Sequence, residues 1–203
     1  MKKIGITGGI GSGKTIVCKI FEILGIPHFN ADQEAKKIME QDEYTKNILK
    51  KTFGKDIYSG EKLLRAKLSE IIFNDPAALK TINNIIHPKV KSLFIQWSEN
   101  KINAPYIIAE AAILFESRFD ELLDEVIGIS CPESLRIKRL LERDGINIDD
   151  IKKRMANQMP EDEKINRCDR VIYNHQHELV LPQILSIHSS LTQNKRNNNE
   201  KIC

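Results

Sequence analysis

One stretch near the start of the chain restricts its fold more than any other. Gly8 to Thr15 read Gly-Gly-Ile-Gly-Ser-Gly-Lys-Thr, a complete G-x-x-x-x-G-K-[ST] spacing. A strand-like run, Lys3-Ile4-Gly5-Ile6-Thr7, leads in, and a helix-like run from Lys14 to Leu24 leads out. In that setting the glycines let successive backbone N–H groups turn inward around an anion, and the following helix adds its positive N-terminal end. Lys14 can reach β- and γ-phosphates as a point charge, and the Thr15 hydroxyl can hold Mg²⁺. A glycine-rich turn that merely joins strand to helix does not explain why Lys14 and Thr15 stand together at the helix start.

The rest of the chain alternates. Gly25 is a stop for the first helix. Ile26 to Phe29 form a second short strand that leads into Asn30-Ala31-Asp32, with Asn30 a cap for the helix that follows. From about Asp42 to Lys101 the pattern is helical throughout: Leu63, Leu64, Leu68, Ile71 and Ile72 recur at helical spacing. Asp75-Pro76 starts a long helix that carries Leu79, Ile82, Ile86, Val90, Leu93 and Trp97. Strands resume at Tyr106–Ala109, Glu125–Ser130 and Arg170–Tyr173, with helices between them and a last helix from Glu178 to Leu191.

This order predicts an α/β fold, a doubly wound parallel sheet of the P-loop NTPase type. We expect one domain over about 1–192: core at about 1–40, 103–135 and 168–192, a helical insertion at about 41–102, and a small helical lid at about 136–167. The Asn- and Lys-rich residues 193–203 read as a disordered tail. Ligands of such sheets lie at the C-terminal ends of the strands. The loop, Asp32 and Glu110 each follow a predicted strand, so they are expected on one rim.

Composition excludes more than it identifies. A net charge of +3 is too small to argue for nucleic acid. No apolar stretch approaches a membrane span, and no apolar run precedes the loop, so neither a membrane partner nor a signal peptide is expected and the chain reads as cytoplasmic. Cys18, Cys131, Cys168 and Cys203 are scattered, without C-x-x-C or His/Cys pairing, and read as reduced residues of a cytosolic protein rather than zinc ligands or disulfides.

Several residues fit chemistry as well as a bland structural role. Asp32, after the second strand, can accept a proton from an attacking hydroxyl or organise the Mg²⁺ water shell; it can equally serve the helix dipole. Arg136, Arg139 and Arg143 form a basic stripe beside the apolar Ile137, Leu140 and Leu141, with Arg154 on the next helix. That is a closing lid for a transferring phosphoryl group or a solvated face. Arg65 and His87 lie in the inserted block, where a surface arginine and a structural histidine are the plain alternatives. Glu110 and Glu116 flank an apolar run near the rim, and their position alone does not separate metal, substrate and structural roles.

Taken in order, the motifs are more specific than any one of them. Thr7 to Thr15 is followed by Asn30-Ala31-Asp32, Arg65, Ile86-His87-Pro88, Ile113-Leu114-Phe115-Glu116-Ser117, Arg139 to Gly145, Gln158-Met159-Pro160, Glu163-Lys164 and Asp169-Arg170-Val171-Ile172. This set resembles the dephospho-CoA kinase family from Met1 to about Leu191. The resemblance implies transfer of the ATP γ-phosphoryl group to the ribose 3′-hydroxyl of 3′-dephospho-CoA, with Mg²⁺, as the last step of coenzyme A synthesis. It implies a nucleotide-binding core, a helical substrate domain and a lid. By position, Asp32 is implied as general base, with Lys14 and Arg139 also catalytic. Gly11, Ser12, Gly13, Lys14, Thr15, Ile16 and Arg143 are implied as nucleotide contacts, Thr15 as metal ligand, and Asp32, Arg65 and His87 as substrate contacts.

Two positions depart from the family pattern: Asn30, where an aspartate is common, and Ala112, where proline is frequent. The nearest alternative is another small-molecule P-loop kinase acting on nucleosides or nucleoside monophosphates, since the insertion-plus-lid layout is shared. A GTPase-like switch would require an N/T-K-x-D motif, and the sequence has none. Oligomeric state is not readable from the chain.

Overall fold

The β-branched Ile4, Ile6 and Thr7 lie within the central strand, which ends at Gly8. The computed structural model describes residues 1–101, 103–145 and 147–199, with the backbone alone at 73, 74, 144 and 194–199. In chain order the elements are β1 (Lys2–Gly8), α1 (Lys14–Ile23), β2 (His28–Asn30), α2 (Ala31–Gln41), α3 (Glu43–Phe53), β3 (Tyr58–Ser59), β4 (Lys62–Leu63), α4 (Arg65–Asn74) and α5 (Pro76–Glu99). These are followed by β5 (Tyr106–Glu110), β6 (Glu125–Ser130), α6 (Glu133–Asp144), α7 (Ile148–Ala156), α8 (Glu161–Asn166), β7 (Arg170–Tyr173) and α9 (Val180–Asn199). The chain divides into two compact units, residues 1–30 with 98–203, and residues 31–97. The second starts at Ala31, upstream of the insertion boundary expected near residue 41, and α6 to α8 belong to the first.

The first unit is built on a five-stranded sheet in the order β2-β5-β1-β6-β7, every pair parallel. Strand order reverses at β1, so the switch point where such sheets bind ligands lies at its C-terminal end. Side chains alternate across β5: Tyr106 and Ile108 join Ile4, Ile6, Ile127, Ile129 and Ile172 under α1 and α9, where Val17, Cys18, Phe21, Ile184, Ile187 and Leu191 complete one cluster. Ile107, Ala109 and Val126 are buried on the opposite face. Burial on both faces is what a parallel sheet requires, and each isoleucine so enclosed is worth about 2 kcal/mol. α1 ends as its sequence foretells. Gly25 turns into the left-handed region at φ 81°. Its N–H donates to Glu22 O (2.9 Å) and the Ile26 N–H donates to Phe21 O (3.0 Å), a Schellman closure.

The second unit is helical, with one correction. The stretch expected to be helical throughout contains an antiparallel hairpin, β3 and β4, pairing Tyr58 with Leu63 and Ser59 with Lys62. Two-residue strands are too short to leave a period of two in the sequence; the local cue is Gly60, at φ 59° in the turn. At the C-terminus α9 is described through Asn199, eight residues past the Leu191 at which its apolar pattern ends, as a helix anchored by Ile184, Ile187 and Leu191 propagates at little cost once nucleated. Residues 200–203 of the tail expected to be disordered lie outside the described residues.

Asp42 ties the second unit together. Its carboxylate accepts from the Thr45 N–H at 3.1 Å, capping α3, and from Lys89 of α5. Lys89 and Thr45 together hold the carboxyl at a pKa of about 2. Asp42→Ala is expected to lower stability by about 1 kcal/mol, read as a lower urea midpoint with unchanged slope. Because the folded pKa lies below the unfolded one, this contribution is complete above the ordinary carboxylate range. It fades as pH falls toward 2.

Candidate active site

The loop between β1 and α1 takes the shape that its glycines permit. Gly13, the residue before α1, sits in the left-handed region at φ 97°, a conformation that L side chains rarely adopt. A side chain there would also strike Asn174 Nδ2, 2.3 Å from the Cβ position. Lys14 is buried, and its Nζ donates to Gly8 O (2.9 Å) and Gly9 O (3.1 Å), folding over the loop's first turn. Ser12 is fully buried, and its hydroxyl has no hydrogen-bond partner among the described residues.

Parallel register carries Glu110 to the same rim. It is the last residue of β5, paired with Ile6 of β1 on one side and Asn30 of β2 on the other. Its Oε1 accepts from Thr15 Oγ1 at 3.2 Å and its Oε2 accepts from Asn30 Nδ2 at 2.8 Å. His28 Nε2 lies 3.3 Å from Oε2, and His28 Nδ1 lies 3.0 Å from Glu22 Oε1. Burial alone would raise the Glu110 pKa, but His28, Lys14 and Thr15 outweigh it and hold the carboxyl below its usual range. Burial likewise works against the His28 imidazolium, and the Glu110 and Glu22 carboxylates overcome it, so its pKa is raised. Glu110 is therefore an ionised carboxylate beside the loop hydroxyl. A hydroxyl and a carboxylate are the hard oxygen donors that Mg²⁺ takes, so this pair fits the expected metal.

Glu116 does something else. Its Oε1 accepts from the Met159 N–H at 2.7 Å and lies 3.1 Å from Nζ of the fully buried Lys164, which also donates to Ala112 O at 2.7 Å. It fastens the α7–α8 connection to the turn after β5.

The arginine stripe separates on folding. Arg136 is buried, ion-paired with Glu161 at 2.7 Å, and Glu161 also accepts from the Cys131 N–H at 2.9 Å. Its guanidinium lies against the loop: a Cβ on Gly9 would stand 2.0 Å from Arg136 Nη1. Arg139 donates to Asn174 Oδ1 (3.2 Å) and to Cys131 Sγ (3.4 Å), and Asn174 Nδ2 donates to Ser12 O (2.7 Å). Arg139 thus reaches the loop through Asn174. Arg143 is exposed at the end of α6. Gln158 Oε1 accepts from the Ile10 N–H at 3.0 Å. Ile16 points to solvent. Two clefts, about 400 Å³ beside Gly9 and Gln158 and about 730 Å³ beside Ser130 and His175, are both lined by Arg136 and Glu161.

The remaining expected residues belong to the second unit. Asp32 is the second residue of α2, two residues past Asn30 along the chain, and half-buried. Arg65 opens α4, exposed, and donates twice to Glu40 Oε1, at 3.0 and 2.7 Å. His87 is half-buried in α5, and burial, with Lys91, holds its pKa below the usual histidine value.

Residues 2–179 match the family model described as Dephospho-CoA kinase. The chain belongs to the dephospho-CoA kinase family. The dephospho-CoA kinase of Bacteroides fragilis (strain YCH46) is 38% identical over 191 residues, which cover 94% of this chain and 93% of that protein. A crystal structure from Thermus thermophilus aligns with a TM-score of 0.80 at 30% identity, covering 95% of this chain and 97% of that one. The structure of dephospho-CoA kinase from Campylobacter jejuni aligns with a TM-score of 0.69 at 27% identity, covering 95% and 98%. As a family member the chain is an ATP-dependent phosphotransferase with the P-loop kinase fold. Among the described residues no helix is long and apolar enough to cross a membrane.

Sequence reading missed Asn174, Gln158 as a loop partner, and the burial of Arg136. The one available cue was the second glycine of the loop, which Arg136 requires. Gly9→Ala is expected to displace the guanidinium and lower stability by about 1–3 kcal/mol, measured by thermal unfolding. The same substitution in an Arg136→Ala background is expected to cost little more than Arg136→Ala alone, the non-additivity that a direct clash produces.

Proposed function

We propose that the protein transfers the γ-phosphoryl group of ATP to the ribose 3′-hydroxyl of 3′-dephospho-CoA, giving coenzyme A and ADP. The family match over residues 2–179 carries this reading, and the intact phosphate loop supports it. In the reaction the ribose 3′-oxygen forms a bond to the γ-phosphorus as the bond to the β,γ-bridging oxygen breaks. The hydroxyl proton goes to Asp32, which orients the acceptor as general base.

Backbone N–H groups of Gly11, Ser12, Gly13 and Lys14 cradle the phosphates, with Ile16 at the edge of the nucleotide contacts. Lys14 leaves the carbonyls of Gly8 and Gly9 and turns its ammonium to the β- and γ-phosphates. The Thr15 hydroxyl, with Glu110 behind it, holds Mg²⁺, which when bound neutralises phosphate charge. Arg139 stabilises the transferring group, and Arg143 contacts the nucleotide from the lid formed by α6 to α8. Lid closure excludes water that would otherwise hydrolyse ATP. Arg65 exchanges Glu40 for an anionic group of the acceptor, and His87 meets the acceptor as a neutral imidazole. Cytoplasmic residence belongs to the same reading, because the donor is the cell's internal ATP pool. Neither a nucleic acid nor a membrane takes part.

Incubation with Mg-ATP and dephospho-CoA is expected to yield coenzyme A, detected by mass. Turnover of nucleosides or nucleoside monophosphates with none of dephospho-CoA would overturn the assignment. Asp32→Asn is expected to lower turnover by about 10²–10⁴-fold with ATP affinity nearly unchanged; near-normal turnover removes Asp32 from the base role. Lys14→Ala is expected to impair ATP binding and transfer together, as separate titration and single-turnover measurements would show.

A further inference from the structure

Behind the loop hydroxyl, Glu110 shares a buried pocket with two side chains, Cys18 and His28, that the phosphoryl transfer does not use. Cys18 Sγ, a ring nitrogen of His28 and a carboxylate oxygen of Glu110 lie within 4.8 Å of one another. Cys18 is fully buried, and the side chains of His28 and Glu110 are 9% and 4% exposed. Thiolate, imidazole and carboxylate are the donors that zinc selects. Bonds of roughly 2.0–2.3 Å would draw them together from their present spacing by small rotations.

His28 is oriented for this. Its Nδ1 faces Glu22 Oε1 at 3.0 Å, the carboxylate–histidine arrangement that fixes a ligating ring and frees the other nitrogen. That other nitrogen, Nε2, is buried and aimed at the cluster. It stands 3.3 Å from Glu110 Oε2 but makes no aligned hydrogen bond. An imidazolium between two carboxylates would account for His28 and Glu110 and leave Cys18 as core packing alone; a cation uses all three. Its two positive charges match one thiolate and one carboxylate, so the loaded site is neutral, as a buried site requires. The Cys18 thiol proton and, from the imidazolium, the His28 Nε2 proton leave to solvent as the Sγ–metal and Nε2–metal bonds form.

We propose that Cys18, His28 and Glu110 form a binding site for a thiophilic divalent cation, Zn²⁺ being the type, and that occupancy draws Glu110 from Thr15 and suppresses phosphoryl transfer. The carboxylate has two sides: Oε1 serves Thr15 and Oε2 faces the cluster. Cation binding stands on the cluster alone; only the suppression rests on the kinase reading.

The test uses the untagged, nucleotide-free full chain. Co²⁺ is expected to bind at one equivalent with a thiolate-to-cobalt charge-transfer band in the near ultraviolet, and Zn²⁺ is expected to displace it. Cys18→Ala is expected to abolish the band and weaken Zn²⁺ binding at least tenfold, with basal turnover retained. Should Cys18→Ala fail to fold by circular dichroism, His28→Gln decides, with the same tenfold loss expected. Absence of the band from the wild type, or its persistence in either folded variant, overturns the site. Zn²⁺ is also expected to lower dephospho-CoA turnover in the wild type and not in folded Cys18→Ala. Equal inhibition of both overturns the suppression while leaving the site intact, and an enzyme inactive on dephospho-CoA fails the kinase reading without touching the cobalt result.

Discussion

Parallel pairing of β1 with β5 on one side and β6 on the other is the constraint on which the first unit depends. β1 is central, buried on both faces and continuous with the phosphate loop, so the position of that loop is the position of the strand's end. Register does the rest. Ile6 opposite Glu110, and Glu110 opposite Asn30, place one carboxylate at the centre of the rim. A slip of one residue would turn Glu110 to the other face and leave Thr15 without it.

Glu110 is the electrostatic hub that this register creates. It is buried, yet the hydrogen bonds of Thr15 and Asn30 satisfy it, and His28 and Lys14 add their fields. Such a carboxylate stays ionised where an unpaired one would take up a proton. It contrasts with Glu116, six residues later in the chain, which is used as a fastener for Lys164 and the Met159 amide. The difference lies in the partners that folding supplies. The arginines of α6 repeat the lesson. Arg136 is withdrawn into a buried pair with Glu161 against Gly9, Arg139 reaches the loop through Asn174, and Arg143 remains at the surface.

Much of the architecture was legible because its signals are local. Strand, loop and helix at the N-terminus span fewer than thirty residues, and their start and stop signals lie within that span. Asp75-Pro76 marked the start of α5 for the same reason: Asp75 Oδ1 accepts from the Ala77 N–H at 2.8 Å. The β3–β4 hairpin was not legible, since two residues per strand carry no periodicity. The end of α9 was missed because composition reports polarity, whereas the helix is held by buried residues upstream.

By itself the sequence determined that a phosphate-bearing nucleotide is held between a strand and a helix, that strands and helices alternate around an inserted helical block, and which family shares its ordered motifs. These follow from contacts between residues close in the chain, or from motif order, which needs no coordinates. Only the tertiary structure decided that Glu110 and not Glu116 meets Thr15, that Arg136 leaves the basic stripe, and that Cys18 and His28 gather behind the loop with a carboxylate more than eighty residues away. Those pairings depend on which strands lie side by side and in what register. That choice is made by burying both faces of the sheet at once, and no single segment records it.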